Sequence, residues 1–375
     1  MEIIVGMDRI LYQYSLSVAM TLMLFFGFYF LSARKPDRPV FESYVRSRRI
    51  MGAALLVLSI NYLVHLLTNL RFNAHWAAIL MNLSTYYLSA WLFSSALISL
   101  LDRNYLTLRR FVLNILIWLV YTAAAVAVLA FHSSEAVNVI CVAAMTVWFL
   151  IYALWLAIRL VRTYRRAVKL FDDTQSDHIA AYIKWLSIFT WWAVIYGVSC
   201  GLLTFIPDRY VFIWVLSSIP FYIYLYCSYM NYMLFYERVE VALQMPEPLE
   251  EAAVVSRQEP PVYYADIEKR LSDWMNGNGF TRPGLTIEDL AEELCTNRTY
   301  LSAYIKSTYH ITFREWITSL RLEFAKRMIA EHPEMTIGVI SETAGFLSQS
   351  YFSKTFADKE GVSPARWRQN MCNFC

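Results

Sequence analysis

Charge is scarce in this chain of 375 residues: Asp, Glu, Lys and Arg make up 17% of it, while 58% is apolar. A soluble domain ordinarily carries about 25% charged residues, so a fold that is water-soluble throughout is excluded. The six cysteines offer no disulfide framework. Cys141, Cys200 and Cys227 fall in apolar runs, and Cys295 stands apart. Cys372 and Cys375 form one C-x-x-C, with no second pair to complete a zinc site. Catalytic constellations are equally absent. The apolar runs contain no HExxH, no carboxylate pair and no proton-relay series. An enzyme is therefore not expected, nor a metal or a cofactor.

What the sequence does have is a succession of long apolar runs. A helix needs about 20 apolar residues to cross the hydrocarbon core of a bilayer. Seven spans are expected, near residues 10–31, 50–70, 77–101, 111–131, 137–160, 183–206 and 210–236. The first is not a cleavable signal, because its run is too long and no small-residue cleavage site follows. The loops alternate in charge. The first contains Arg34, Lys35, Arg38, Arg46, Arg48 and Arg49, the third Arg103, Arg109 and Arg110, and the fifth Arg162, Arg165, Arg166, Lys169 and Lys184. The intervening loops hold little beyond Arg71 and Arg209. Cationic loops stay in the cytoplasm. The N-terminus is thus expected outside and the C-terminus inside, in a multi-pass protein of a bacterial inner membrane.

Ionisable residues inside membrane spans are functional candidates by default, and His65, with Asn61 one turn before it, is the clear case. The last span is rich in tyrosine, from Tyr210 through Tyr222, Tyr224, Tyr226, Tyr229 and Tyr232 to Tyr236. His65, Asn61, Tyr222 and Tyr226 are the candidates for a small-ligand pocket. The competing reading makes the tyrosines interface anchors and interhelical hydrogen bonders. Pro220 is expected to kink this span.

The composition changes along the chain. Residues 1–261 hold 20 Lys+Arg and 16 Asp+Glu, a net of +4, and residues 262–375 hold 13 and 14, a net of −1. Residues 244–261, QMPEPLEEAAVVSRQEPP, carry four prolines and no apolar period, which reads as a flexible linker. Three parts follow: a seven-span domain over 1–243, the linker over 244–261, and a soluble helical domain over 262–375. The whole is all-α.

The last part contains an internal repeat. Thr286, Ile287 and Leu290 recur as Thr336, Ile337 and Ile340, and Asn297, Leu301 and Ser302 recur as Ser348, Phe352 and Ser353. Each copy reads as a Thr N-cap, a short amphipathic helix, a tight turn, a polar N-cap and a second amphipathic helix. That is the layout of a helix-turn-helix, whose second helix enters the DNA major groove. Gly345 supplies the left-handed turn residue in the second copy, whereas Cys295 stands there in the first. Residues 313–331 read as a long helix joining the copies.

The pieces LTIEDLAEEL, NRTYLSAYIK, SLRLEFAKRMI, MTIGVISETAGF, SQSYFSKTF and GVSPARWR make residues 285–368 resemble the DNA-binding domain of the AraC/XylS family. Cys295 and His310 stand where that family commonly has glycine, and Ser341 where it has alanine. The resemblance implies two recognition helices in successive major-groove segments of double-stranded DNA. Arg298, Thr299, Ser302 and Lys306 are the candidates on the first helix, and Gln349, Ser350, Ser353 and Lys354 on the second. Gln suits adenine, Lys suits guanine edges, and Ser is permissive. Arg314, Arg366 and Arg368 are candidate phosphate contacts. The net of −1 is not the basic footprint of a nucleic-acid binder, so affinity is expected to be modest and helped by dimerisation. The reading is a membrane-bound transcription regulator that senses a small-molecule or membrane signal. The alternative is a membrane receptor or transporter whose C-terminal module docks a protein partner.

Overall fold

A computed structural model describes residues 2–34, 41–131, 135–174, 176, 188–192, 195–197, 199, 201–202, 204–233 and 263–372. The described chain is helical, without a β-strand. Its elements are α1 (Glu2–Ser32), α2 (Glu42–Thr68), α3 (Leu70–Asn73), α4 (His75–Leu101), α5 (Leu108–Ala130), α6 (Glu135–Thr174), α7 (Asp208–Ser217) and α8 (Ile219–Met233). After them come α9 (Tyr263–Asn276), α10 (Ile287–Glu293), α11 (Arg298–Tyr309), α12 (Phe313–Glu331), α13 (Ile337–Thr343), α14 (Gln349–Glu360) and α15 (Pro364–Cys372). The chain forms two compact units, one of residues 1–166 and 182–241, the other of 167–181 and 242–375. The boundary falls inside α6.

Six helical segments among the described residues are long and apolar enough to cross a membrane: α1, α2, α4, α5, α6 and the stretch Asp208–Met233. The remaining expected span, 183–206, lies partly outside the described residues, and its described part is helical at 188–192 and 195–197. The linker 244–261 and Cys375 lie outside them altogether. The last span divides in two just before Pro220, because proline has no N–H to give the preceding turn. One expectation needs correction. The fifth span, expected to end near residue 160, continues as helix to Thr174. No glycine or proline interrupts residues 135–174, and Ala167 and Phe171, one turn apart, are buried.

In the first unit α1 and α2 meet at two glycines. A Cβ on Gly27 would stand 2.9 Å from the Leu56 side chain, and one on Gly52 would stand 2.9 Å from the Gly27 carbonyl oxygen. Small residues at such crossings let helix backbones approach closely in an apolar medium. Arg48, one of the cations assigned to the first loop, is buried, and its guanidinium donates to the carbonyls of Ala33 and Arg34 at the end of α1. The tyrosine-rich α8 bonds across helices: Tyr44 Oη donates to the Tyr229 carbonyl at 2.8 Å, and Ser47 Oγ pairs with Tyr229 Oη at 2.9 Å. The outer faces of α5 and α6 are apolar, with Val120 60%, Ile140 67% and Ile151 65% exposed. Water would disfavour such a surface by roughly 25 cal/mol per Å².

The second unit is built on α12. Trp316 and Ile317 on α12 join Ile267, Leu271, Leu290, Leu301 and Ile305 in one core. Leu322, Ala325 and Ile329 on the same helix join Ile340, Phe352 and Phe356 in another. Phe324 packs against both. Helix starts are set by side-chain oxygens that accept otherwise orphaned backbone N–H groups. Thr286 with Asp289 and Thr312 with Glu315 form capping boxes, and Asn297, Thr336 and Ser348 each accept from the N–H three residues on.

Candidate nucleic-acid interface

Each copy of the repeat folds as a short helix, a turn and a second helix: α10 to α11, then α13 to α14. The turns need a left-handed residue, and Cys295 (φ 50°) and Gly345 (φ 88°) supply it at equivalent places. His310 closes α11 at φ 58° and Gly361 closes α14 at φ 74°. A side chain in this region costs roughly 1 kcal/mol, so the first copy carries strain that the second avoids. At Gly345 a second constraint operates, because an added Cβ would lie 2.3 Å from the Thr281 carbonyl oxygen.

The neighbouring carbonyls of that same loop hold an arginine that the sequence reading did not single out. Arg321 on α12 is 1% exposed. Its Nε donates to the Phe280 carbonyl at 2.8 Å, and its Nη2 donates to the Arg282 carbonyl at 2.8 Å. The guanidinium also lies 5.9 Å from the centre of the Phe346 ring, next to Gly345. One buried cation thus ties the loop before α10 to the turn of the second copy. A signal existed in the sequence: Arg321 lies one turn from Ile317 and one turn from Ala325, both core residues.

The candidates of the second copy lie on α14. Gln349, Ser350 and Lys354 are exposed on α14 and Ser353 is half-buried. Gln349 leans back over Gly338, where its Oε1 would meet an added Cβ at 3.2 Å. The first recognition helix differs. Thr299 is half-buried and Lys306 exposed, but Ser302 is buried, 6% exposed. The buried arc of α11 takes in Leu301, Ser302, Tyr304 and Ile305, wider than its apolar residues alone suggest, so Ser302 cannot present its hydroxyl to a base in this conformation. Arg298 is also drawn inward: its Nε sits 3.2 Å from Glu288 Oε1, with only 14% of its side chain exposed. Tyr300, which the sequence reading passed over, is 45% exposed at the start of α11.

Three acidic residues of the first copy, Glu288, Asp289 and Glu293, have partners within the unit. Glu293 accepts from Trp274 Nε1 at 2.8 Å and pairs with Arg282, and Asp289 closes its capping box. Burial raises the carboxyl pKa of Glu288 against the pull of Arg298. Lys306 and Arg314 pair with Asp173 and Asp172 at the end of α6. Arg366 is exposed, and Arg368 reaches the Pro333 carbonyl at 3.4 Å.

In the first unit the ligand candidates separate into three places. Tyr222 lines a cavity of about 100 Å³ together with Tyr62, Tyr86, Phe149, Trp214 and the buried Ser89 and Ser94. His65 and Asn61 border a second space of about 20 Å³, enough for a water. There His65 Nε2 donates to Asn82 Oδ1 at 2.8 Å, and Asn61 Nδ2 donates to Asn82 Oδ1 and Thr85 Oγ1, each at 3.1 Å. Tyr226 lines neither space, and its ring stacks on Phe26 at 4.6 Å. Among the described residues no three His, Cys, Asp or Glu side chains gather as metal ligands would.

Comparison with known proteins places the second unit. Residues 290–370 match the family model described as a helix-turn-helix domain, and this part of the chain is an AraC-type helix-turn-helix domain. The chain is similar to the Msm operon regulatory protein of Streptococcus mutans, 29% identical over 89 residues, or 24% of this chain and 32% of that protein. It is also similar to the melibiose operon regulatory protein of Escherichia coli, 32% identical over 85 residues, or 23% and 28% of the two chains. A third relative is the HTH-type transcriptional regulator ExsA of Pseudomonas aeruginosa, 31% identical over 83 residues, or 22% and 30%. The matched stretch thus spans less than a third of each of these curated relatives. No solved structure matches.

Proposed function

We propose that the protein is a membrane-bound, sequence-specific DNA-binding transcription regulator of a bacterial inner membrane, with its N-terminus outside and its helix-turn-helix unit in the cytoplasm. The observation that carries the reading is the second copy of the repeat. A capped helix with exposed Gln349, Ser350 and Lys354 follows a turn that only glycine fits, on a chain that holds, among its described residues, six helices long and apolar enough to cross a membrane. The three relatives named above are regulators by their names, and they match this chain over its helix-turn-helix part. The alternation of cationic loops supports the orientation.

The first unit is the sensor in this reading. Its 100 Å³ cavity is walled by aromatic rings, and Ser89 and Ser94 Oγ have no hydrogen-bond partner among the described residues. That suits a small apolar molecule with one polar group. Association of two copies would raise the local concentration of a second DNA-binding unit. Reporter fusions test the arrangement. A reporter active only in the cytoplasm works after Arg46, Arg109, Lys169 or Glu240 and fails after His75, Ser134 or Asp208. Activity in the second set overturns the topology. Genome-wide mapping of DNA bound by the full-length protein tests the function. Discrete sites sharing a sequence support it, and capture of proteins without DNA favours a docking module instead.

A further inference from the structure

Asp172 and Asp173 close α6 and belong to neither the base-reading candidates nor the cavities. With residues 167–181 they are part of the second unit. Asp173 Oδ2 accepts from Lys306 Nζ at 2.8 Å, and Asp172 Oδ2 accepts from Arg314 Nη2 at 3.1 Å. The carboxylate of Asp173 is 7% exposed, whereas Lys306 keeps 42% of its side chain in solvent. Just beyond, the Ser176 N–H donates to the Leu285 carbonyl at 3.0 Å, and Arg321 Nη2 reaches Ser176 Oγ at 3.4 Å. The segment is therefore held on α11, on the first turn of α12, on the middle of α12 and on the loop before α10.

Lys306 is the exposed cation of the first recognition helix, and Arg314 opens the helix that follows it. These are the charges with which this copy would meet DNA phosphates, and each already faces a carboxylate of its own chain. We infer that Asp172 and Asp173, anchored beside Ser176, form an acidic clamp that withholds Lys306 and Arg314 from DNA, so that the first helix-turn-helix copy engages phosphate only when the clamp is released. The inference rests on the DNA-binding reading above. Lys306 keeps 42% of its side chain in solvent, which leaves it open to competition by a polyanion or to release by a movement of α6. Because α6 runs unbroken from Glu135 to Thr174, the two carboxylates sit on a stiff element rather than on a tether.

The test uses the full-length protein in nanodiscs with a mixed-sequence DNA duplex, whose binding reads phosphate contacts alone. Asp172→Asn with Asp173→Asn frees two cations. Affinity rises about two- to thirty-fold at low salt. The slope of log K against log salt steepens by about 2, since each phosphate contact contributes about 0.9. Asp172→Glu with Asp173→Glu keeps the parent's affinity. The decisive arm repeats the Asn pair in a Lys306→Gln, Arg314→Gln background, where the gain disappears. A gain that persists there is long-range charge and overturns the clamp, as does an unchanged affinity and slope in the original pair. Absence of DNA binding by every form sinks the DNA-binding reading, and the clamp with it.

Discussion

Replacing Gly345 with alanine adds one methyl group at the point where the two copies of the repeat meet. Two costs follow from the geometry. The residue has φ 88°, where an L side chain loses roughly 1 kcal/mol or more. The new Cβ would also lie 2.3 Å from the carbonyl oxygen of Thr281 and 2.7 Å from its carbon. Both atoms are backbone, and the flanking carbonyls of Phe280 and Arg282 are held by Arg321, so neither can yield cheaply. Forcing a methyl into a packed site costs about 1–3 kcal/mol. Together these give about 2–4 kcal/mol, a large share of the 5–15 kcal/mol that stabilises an ordinary domain. Hydrogen exchange of the full-length protein in nanodiscs reads this locally. Amides of α12, α13 and α14 would exchange roughly 30- to 700-fold faster than in the parent, at about tenfold per 1.4 kcal/mol. Cys295 has the same handedness in the first copy without glycine's freedom, so Cys295→Gly would not show this loss. Equal exchange in Gly345→Ala and the parent would refute the close approach at Thr281.

Arg321→Met keeps most of the side-chain volume but leaves the buried carbonyls of Phe280 and Arg282 without their cationic donor. At about 1.5–3 kcal/mol for each charge-assisted bond, a loss of about 3 kcal/mol or more is expected, read as earlier unfolding of residues 279–346 by pulse proteolysis. Ser341 takes the opposite sign. It is buried and its Oγ has no hydrogen-bond partner among the described residues, so Ser341→Ala removes a desolvated hydroxyl and raises stability by about 1 kcal/mol. A destabilised Ser341→Ala protein would mean that the hydroxyl is satisfied in solution.

Much of this architecture is legible in the residues. Cap residues announce the helix starts: Thr286, Asn297, Thr312, Thr336 and Ser348 all accept the N–H bonds that their positions suggest. The joining helix occupies Phe313–Glu331 as its apolar period indicates. What escapes the sequence is tertiary. Ser302 lies beside Leu301 on a helix buried over a wide arc, and one-dimensional spacing gives no measure of that width. Arg48 and Arg321 look like surface cations until the carbonyls that they cap come into view. The carboxylates of Asp172 and Asp173 vanish among the cations of a loop read for its positive charge. Tyr226 lies one turn after Tyr222 on nearly the same face of the helix, yet its ring stacks on Phe26 while Tyr222 lines the cavity, a divergence that spacing alone does not reveal.

Selection from a pool of random duplexes tests whether α14 reads DNA sequence. Full-length protein in nanodiscs, before and after Ser350→Ala with Lys354→Ala, is carried through the same selection. Both side chains are exposed on α14, and base contacts are worth about 1–3 kcal/mol each. A defined preferred sequence is expected for the parent, and a relaxed preference confined to one half of that sequence for the variant. The same preferred sequence from both proteins, or none from the parent, would contradict sequence reading by α14.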